Sequence, residues 1–419
     1  MTERSAPRGR LSVELGLREN WLQFSLLVIV NICVGGLVGL ERTTVPLIGT
    51  TVFGITSDLA VFSFIIAFGI TKAFTNLAAG ALTASFRRKQ LLLAGWAAGV
   101  PVPFMLAWGP SWWWIVAANV LLGLNQGLAW SMTVNMKIDL VGPKQRGLAT
   151  GLNEAAGYAA VGATALLTGY LATSYGLRPV PELIGAVFVI AGLGLSLVAA
   201  DTADHVALEL SRHPRPAPAE GSGLRTVFAR TTWGEPSLRG ASQAGLVNNL
   251  NDGLTWGVFP LLFTDYGLGL AAVGLIKGLY PLLWGFGQVY TGHLADRIGR
   301  KPLIVSGMFV QAAGFALALG LLRWPLLAGI ASAVALGIGT AMVYPALIAV
   351  VSDHAHPSWR PNALGTYRFW RDFGYAAGAL IAGVIADWLG LHAAVVTAGV
   401  ITALSGLLAA RWISDIPRS

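Results

Sequence analysis

The sequence predicts an all-α membrane protein with twelve transmembrane helices in two pseudo-symmetric six-helix bundles, both termini on the cytoplasmic side. Three observations point there: the composition, the sorting of the basic residues, and an internal repeat. Of 419 residues, 55% are apolar and only 11% charged, where soluble proteins carry about 25% charged residues. Mean hydropathy is +0.64. This excludes a soluble enzyme, a secreted disulfide scaffold and a disordered chain. A bilayer core takes about 20 apolar residues per helix, so twelve spans use roughly 240, leaving tails and loops but no large soluble domain. The one cysteine, Cys33, allows no intrachain disulfide and reads as a small apolar filler.

The elements follow in order. Residues 1–20 form a basic cytoplasmic tail with Arg4, Arg8, Arg10 and Arg18. The apolar run from Trp21 outlasts a signal-peptide core and ends without a small-residue cleavage site, so it reads as an uncleaved first span. Apolar runs at 21–48, 59–83, 90–108, 112–134, 147–173 and 179–200 make the first bundle, residues 21–200. Residues 201–240 form a cytoplasmic linker, rich in proline and glycine at Pro214, Pro216, Pro218, Gly221 and Gly223, with an interfacial segment around Leu224–Phe228. Runs at 241–264, 271–295, 302–322, 325–350, 362–387 and 391–412 make the second bundle, residues 241–414, before a short tail, 415–419.

The basic residues collect at one set of span ends. They include the tail arginines, Arg87, Arg88 and Lys89, Lys137, Lys144 and Arg146, five linker arginines, and Arg297, Arg300 and Lys301. The opposite ends keep Arg178 and Arg323. This is the positive-inside asymmetry, and it accounts for the net charge of +8 without a nucleic-acid partner. Trp108, Trp112, Trp113, Trp114 and Trp324 mark outer span ends; Trp21, Trp359 and Trp412 mark inner ones, as an aromatic belt does.

The halves repeat. A shift of 214 carries Gly39, Pro46, Asp139, Arg146 and Gly169 onto Gly253, Pro260, Asp353, Arg360 and Gly383. A shift of 212 carries Gly80, Arg88 and Lys89 onto Gly292, Arg300 and Lys301. Two parallel six-span repeats place a binding site near the midplane between them.

The stretch Gly292-His-Leu-Ala-Asp296-Arg297-Ile-Gly299-Arg300-Lys301 has the form G-x-x-x-D-R-x-G-R-K. With twelve spans in a repeated pair of six, the chain resembles the major facilitator superfamily of secondary transporters over nearly its whole length. The resemblance implies a conformational latch at Gly292, Asp296, Arg297, Gly299 and Arg300, with Arg88 in the first-half copy, where Ala84 replaces the family's acidic residue. It also implies that spans one, four, seven and ten line the central cavity, that span two abuts span eleven, and that span five abuts span eight. The fourth span carries no arginine, and the fifth, around Gly147–Tyr158, lacks the proline kink usual in drug antiporters of the family.

Ionisable side chains at mid-membrane are costly and mark function by default. They are Glu41, Arg42, Lys72, Glu154, Asp252, Lys277, Arg368, Arg371 and Asp372. Asn248, Asn251, Asp252 and Thr255 recur at helical spacing and share one face of the seventh span. Asp252 has no cationic neighbour in sequence. An unpaired carboxylate in low dielectric can load and release a proton, so Asp252 is the first candidate for proton coupling, followed by Glu41 and Glu154. Lys72 and Asp372 sit at equal depth on adjacent spans and are expected to pair, leaving Arg368 available to substrate. Arg42, Arg368 and Arg371 are the natural anion contacts, because a guanidinium stays charged and binds carboxylate or phosphate with two hydrogen bonds. Asn248, Gln126, Trp130, Trp256, Trp284 and Tyr367 complete the expected substrate site. Arg146 and Arg360, each seven residues after an aspartate, are expected to pair locally.

The histidines form no metal cluster, and no phosphate-binding glycine loop exists, so no cofactor or direct ATP coupling is expected. The expectation is a monomeric inner-membrane transporter, not an enzyme. It moves a small, anionic or carboxylate-bearing solute by alternating access driven by protons. The alternatives are proton-coupled efflux of amphiphilic drugs and, from another class, a non-transporting membrane sensor, which the short tails and linker disfavour.

Overall fold

The computed structural model describes residues 13–83, 85–142, 145–212, 223–356 and 359–415. No strand forms among them. Helices satisfy their own backbone groups, which hydrocarbon requires of any spanning segment. The first span is α1 (Trp21–Leu47), prolonged by a π-helical turn, Ile48–Val52; the second is α2 (Asp58–Leu82). The third breaks into α3 (Arg88–Gly99) and α4 (Val102–Trp108) around Pro101 and Pro103, which lack the backbone donor a continuous helix needs. The fourth is α5 (Trp112–Asn125), a π-helical turn at Gln126–Trp130, and α6 (Ser131–Val141). Helices α7 (Arg146–Tyr175) and α8 (Val180–Val198) complete the first half. The connection holds α9 (Ala203–Arg212) and α10 (Leu224–Ala229), the latter running into a π-helical turn, Arg230–Gly234. The second half is α11 (Pro236–Asp265), α12 (Leu270–Ile298), α13 (Arg300–Gly320), α14 (Pro325–His354), α15 (Arg360–Leu389) and α16 (Leu391–Trp412).

Eleven of the spans are apolar enough for a membrane among the described residues. The expected seventh, α11, is 30 residues long but diluted by Asn248, Asn249, Asn251 and Asp252. The protein resolves this by enclosure: nearly every residue from Ser237 to Phe263 is buried, against α1, α14, α15 and α16. The helix least suited to lipid is the one most completely surrounded by protein.

Packing repeats with the sequence. In the first half α1 packs on α7 and α8, α2 on α5, α3 on α5, and α4 on α8. In the second, α11 packs on α15 and α16, α12 on α14, and α13 on α14 and α16, the same neighbours in the same roles. The halves meet mainly along α2 with α15 and α7 with α12, and at the centre along α1 with α11. These are the second–eleventh and fifth–eighth contacts that the resemblance implied.

The α7–α12 seam depends on residues without side chains. A Cβ on Gly162 would stand 2.5 Å from the Gly278 carbonyl oxygen, and one on Gly278 would stand 2.6 Å from the Gly162 carbonyl oxygen. Farther along the seam, Gly169 and Gly274 approach equally closely. Such small-residue faces let backbones touch where no hydrophobic force acts between helices. The outer surface is apolar, with Ile190, Val198, Leu404 and Trp388 exposed. Trp21, Trp108, Trp113, Trp114 and Trp324 are exposed as a belt requires, whereas Trp112 and Trp359 are buried and serve packing.

Candidate functional site

Arg42 on α1 and Asp252 on α11 stand opposite each other where the two halves meet. Arg42 donates through Nη1 to Asp252 Oδ1 and through Nη2 to Oδ2, the latter at 3.0 Å. Both side chains are almost wholly buried, at 3% and 2% exposure. One turn along α11, the Trp256 ring carries the guanidinium 4.2 Å from its centroid, and its Nε1 donates to the Glu41 carbonyl oxygen at 3.1 Å. Phe64 and Phe68 meet Trp256 edge-on at 5.5 and 5.3 Å. An ion pair enclosed by rings has little water to screen it. Removing one partner would strand a charge in low dielectric. Lys277 stands nearby on α12, where Nζ donates to the Thr255 carbonyl oxygen at 2.8 Å.

A second polar chain crosses the same interface. Glu154 on α7 accepts at Oε1 from Trp130 Nε1 (2.8 Å) and Asn153 Nδ2 (3.2 Å), and at Oε2 from the Tyr344 hydroxyl of α14 at 3.0 Å. Arg371 on α15 donates to that hydroxyl and to Asp372 Oδ1, from Nε at 2.9 Å and Nη2 at 2.6 Å. Asp372 also accepts from Asn76 of α2 and from Asn249 of α11, the latter at 3.5 Å. Asn76 Oδ1 in turn accepts from Ser131 at 2.7 Å. The π-helical turn at Gln126–Trp130 matters here: Gln126 donates to the Val34 carbonyl oxygen at 2.8 Å while Trp130 swings to Glu154. Beside this chain, Tyr158 stacks on Trp284 with centroids 3.5 Å apart, and Tyr280 and Tyr344 flank Trp284.

The structure corrects several expectations. Asp252 is not unpaired; Arg42 reaches it from 210 residues away. Lys72 and Asp372 form no ion pair among the described residues, because Arg371, Asn76 and Asn249 already occupy the Asp372 oxygens. Lys72 Nζ lies instead near the rings of Phe68, Trp130 and Tyr375, at 5.4, 5.7 and 5.2 Å. Arg371 is held by Asp372 and Tyr344, whereas the half-buried Arg368 makes no ion pair among the described residues. Asn248 does not face a solute: its Oδ1 accepts from Gln311 Nε2 at 2.9 Å within the second half, beside a bridge from Asn251 to Gln311 and Thr402. The supposed single polar face of α11 is divided between these partners and α1. Tyr367 is fully buried against Gly245. Lys137, counted above with the loop charges, is buried and donates to the Leu27 carbonyl oxygen at 3.1 Å.

At the span ends, Arg88 meets Asp139 at 2.5 Å and Arg300 meets Asp353 at 2.8 Å. These are equivalent pairs in the two repeats, each tying the third span of a half to the fourth. They lie within the halves rather than between them. Arg360 turns to the Ala355 carbonyl oxygen at 3.2 Å, not to Asp353. Gly299 has φ +102°, a conformation that favours glycine, and Asp415 caps the next two backbone amides, Arg300 and Lys301, each at 3.0 Å. Gly292 is half-buried and Arg297 exposed; the side chains of Asp296 and Arg146 lie outside the described residues. Glu182 was overlooked: it enters at the first turn of α8, where a carboxylate reads as a span-end residue, yet it is fully buried and Thr44 Oγ1 lies 2.5 Å from its Oε1.

Two repeated six-helix halves joined by a linker, with buried charge pairs at their contact, define a polytopic membrane transporter rather than an enzyme. Residues 25–240 and 241–419 each match the model of the Major Facilitator Superfamily, and the chain belongs to that superfamily. It is a multi-pass protein of the inner membrane. It is 32% identical over 170 residues to the inner membrane transport protein YajR of Escherichia coli, covering 39% of this chain and 34% of that one. It is 37% identical over 137 residues to the multidrug resistance protein MdtH of Yersinia enterocolitica, covering 32% of each. The matches thus span about a third of these relatives' length. A POT family transporter solved in complex with a thioalcohol-conjugated peptide shares the fold, with TM-score 0.69 and 12% identity over 92% of this chain and 94% of that one.

Proposed function

We infer that this protein is a proton-coupled secondary transporter for a small anionic or carboxylate-bearing solute, working as a monomer without a cofactor. The observation that carries this reading is the Arg42–Asp252 pair. It joins the halves at the place where alternating access needs a contact that can part. A solute carboxylate would take the Arg42 fork from Asp252, because both ligands present the same two oxygens. Asp252, released and desolvated, would then accept a proton, so that solute and proton are exchanged against one ion pair. Arg368 and Lys72, neither paired with an acid among the described residues, add positive charge near that path. Asp252, Glu41 and Glu154 remain the coupling carboxyls in this reading, with Arg42 and Arg368 as the anion contacts and Trp130, Trp256 and Trp284 as walls.

One observation favours a second reading, efflux of amphiphilic compounds. Tyr158, Trp284, Tyr280, Tyr344 and Trp130 form a continuous aromatic cluster that an apolar ring could enter, and one relative is named for multidrug resistance. A thermal-shift screen of organic anions, organic cations and neutral drugs separates the two. Under the first reading, organic anions stabilise the wild type and lose their effect in Arg42→Gln. Stabilisation by cations or neutral drugs alone favours the second.

A further inference from the structure

The carboxyl groups of two buried acids in the first half, Glu41 and Glu182, take no part in either cross-half network. Thr44 Oγ1 lies 3.1 Å from the Leu40 carbonyl oxygen and 2.5 Å from Glu182 Oε1. A hydroxyl has one proton. If it goes to the Leu40 carbonyl, which can only accept, then the contact with Glu182 needs a proton from the acid. Glu182 Oε2 is buried with no partner, which a neutral acid tolerates and a carboxylate does not. The same deficit appears at Glu41, three residues before Thr44 on α1. Glu41 is fully buried, and neither carboxyl oxygen has a hydrogen-bond partner. Its neighbour Asn119 gives one of its two Nδ2 protons to the Ile115 carbonyl oxygen at 3.1 Å and leaves Oδ1 unpartnered. An acid proton on Glu41 would supply the donor that this acceptor lacks.

Neither nearby cation makes a hydrogen bond or ion pair with the two acids among the described residues. Arg42 is engaged with both oxygens of Asp252. Arg178 donates to the Gly109 carbonyl oxygen at 2.9 Å and lies over Phe53. The charged and titratable groups around the pair are therefore Arg42 and Arg178, with Asp252 beyond Arg42. Two like charges cannot share so dry a place.

We propose that Glu41 and Glu182 form a two-carboxyl proton-binding site inside the first half, each acid holding one proton in this conformation, with Thr44 as the acceptor for Glu182. Its ligand is the proton: binding converts each carboxylate to the acid, and release returns the proton to water. The route to water lies on the Arg178 side. A cleft of about 490 Å³ lined by Val52, Trp108, Leu177, Arg178 and Pro179 opens about one helical turn from Glu182. The site deepens the proton-coupled reading by adding a carboxyl on the sixth span to the coupling set, and it stands or falls separately from the solute.

Infrared difference spectroscopy of the full chain in lipid vesicles at neutral pH tests it. The protonated-carboxyl carbonyl band should lose one component in Glu182→Gln and another in Glu41→Gln. In Thr44→Val the Glu182 component should keep its intensity and shift, because its acceptor is gone. An acid-carbonyl region in Glu182→Gln identical to wild type overturns the proposal, even if transport proves proton-driven. Should Glu182→Gln fail to fold, an unshifted spectrum in Thr44→Val overturns it alone. Loss of the Glu182 component supports the site even if the chain proves to carry no solute with protons.

Discussion

Arg42 and Asp252 form a bidentate ion pair in which each half of the molecule supplies one charge. Removing either partner should therefore do more harm than removing both. Breaking a buried pair costs about 3–5 kcal/mol, whereas replacing it with neutral groups is often close to neutral. We expect Arg42→Met and Asp252→Asn each to lower the Tm of the purified protein and the double variant to recover most of the loss. Additive losses would show that the two charges do not depend on each other.

Equivalent span-end pairs should differ in weight. Asp353 has 34% of its side chain exposed and Asp139 only 9%, and Asp139 Oδ2 also accepts from Thr202 at 2.6 Å. Exposed ion pairs contribute about 0–1 kcal/mol. A hydrogen-bonded charge nearer burial contributes about 1.5–3 kcal/mol. Asp139→Asn should then destabilise clearly more than Asp353→Asn in parallel melts, and the reverse order would show that exposure does not set their weight.

The α7–α12 seam admits no side chain. Gly278→Val would drive its Cβ into the Gly162 carbonyl oxygen, 2.6 Å away, and overpacking of this kind costs about 1–3 kcal/mol. We expect a lower Tm and slower solute exchange, with the glycine at Gly151, whose surroundings are open, tolerating alanine as the control. Wild-type behaviour in Gly278→Val would mean the halves do not pack as described.

Tyr344 is the link between Glu154 and Arg371, its hydroxyl donating to the Glu154 carboxylate and accepting from the Arg371 guanidinium. Tyr344→Phe keeps the ring and removes both bonds, leaving buried charged groups short of a partner, at about 1–3 kcal/mol. Glu154→Gln in the same background should then cost less than it does in wild type. Equal costs in both backgrounds, measured as a double-mutant cycle, would deny the link.

One pH effect lies outside the spans. His205 on α9 donates from Nε2 to Asn20 Oδ1 at 3.1 Å, while Nδ1 is buried without a partner. Burial holds its pKa below the ordinary value, against a smaller upward pull from Asp204. The unfolded segment takes up a proton as pH falls through about 6.5, and the docked one resists it. Docking of α9 should thus be complete above that pH and weaken below it. Protease sensitivity of α9 should rise on acidification in wild type and stay flat in His205→Gln; a rise in both would exonerate the histidine.

Much of the fold was legible because lipid leaves a coarse signature: runs of Leu, Val and Ala at span length, and basic residues such as Arg88 and Arg300 sorted to one set of ends. The enclosure of α11 was not legible in its hydropathy, since Asn248 and Asp252 become acceptable only through neighbours distant in the chain. The site was legible as a set of residue types, not as pairings. Arg42 and Asp252 lie 210 positions apart, and equal depth misleads when another cation is nearer, as Arg371 is to Asp372. Glu182 escaped notice because a carboxylate in the first turn of a helix is ordinary at a wet helix end. Only packing shows that this end is dry.

The most direct test of the transport reading is the lumenal pH of proteoliposomes when solutes are added one class at a time. A carboxylate-bearing solute should change the lumenal pH in wild-type vesicles and leave it unchanged in Asp252→Asn, while organic cations and neutral drugs do nothing in either. Solute movement indifferent to a pH gradient, or a response to cations that survives Asp252→Asn, would contradict it.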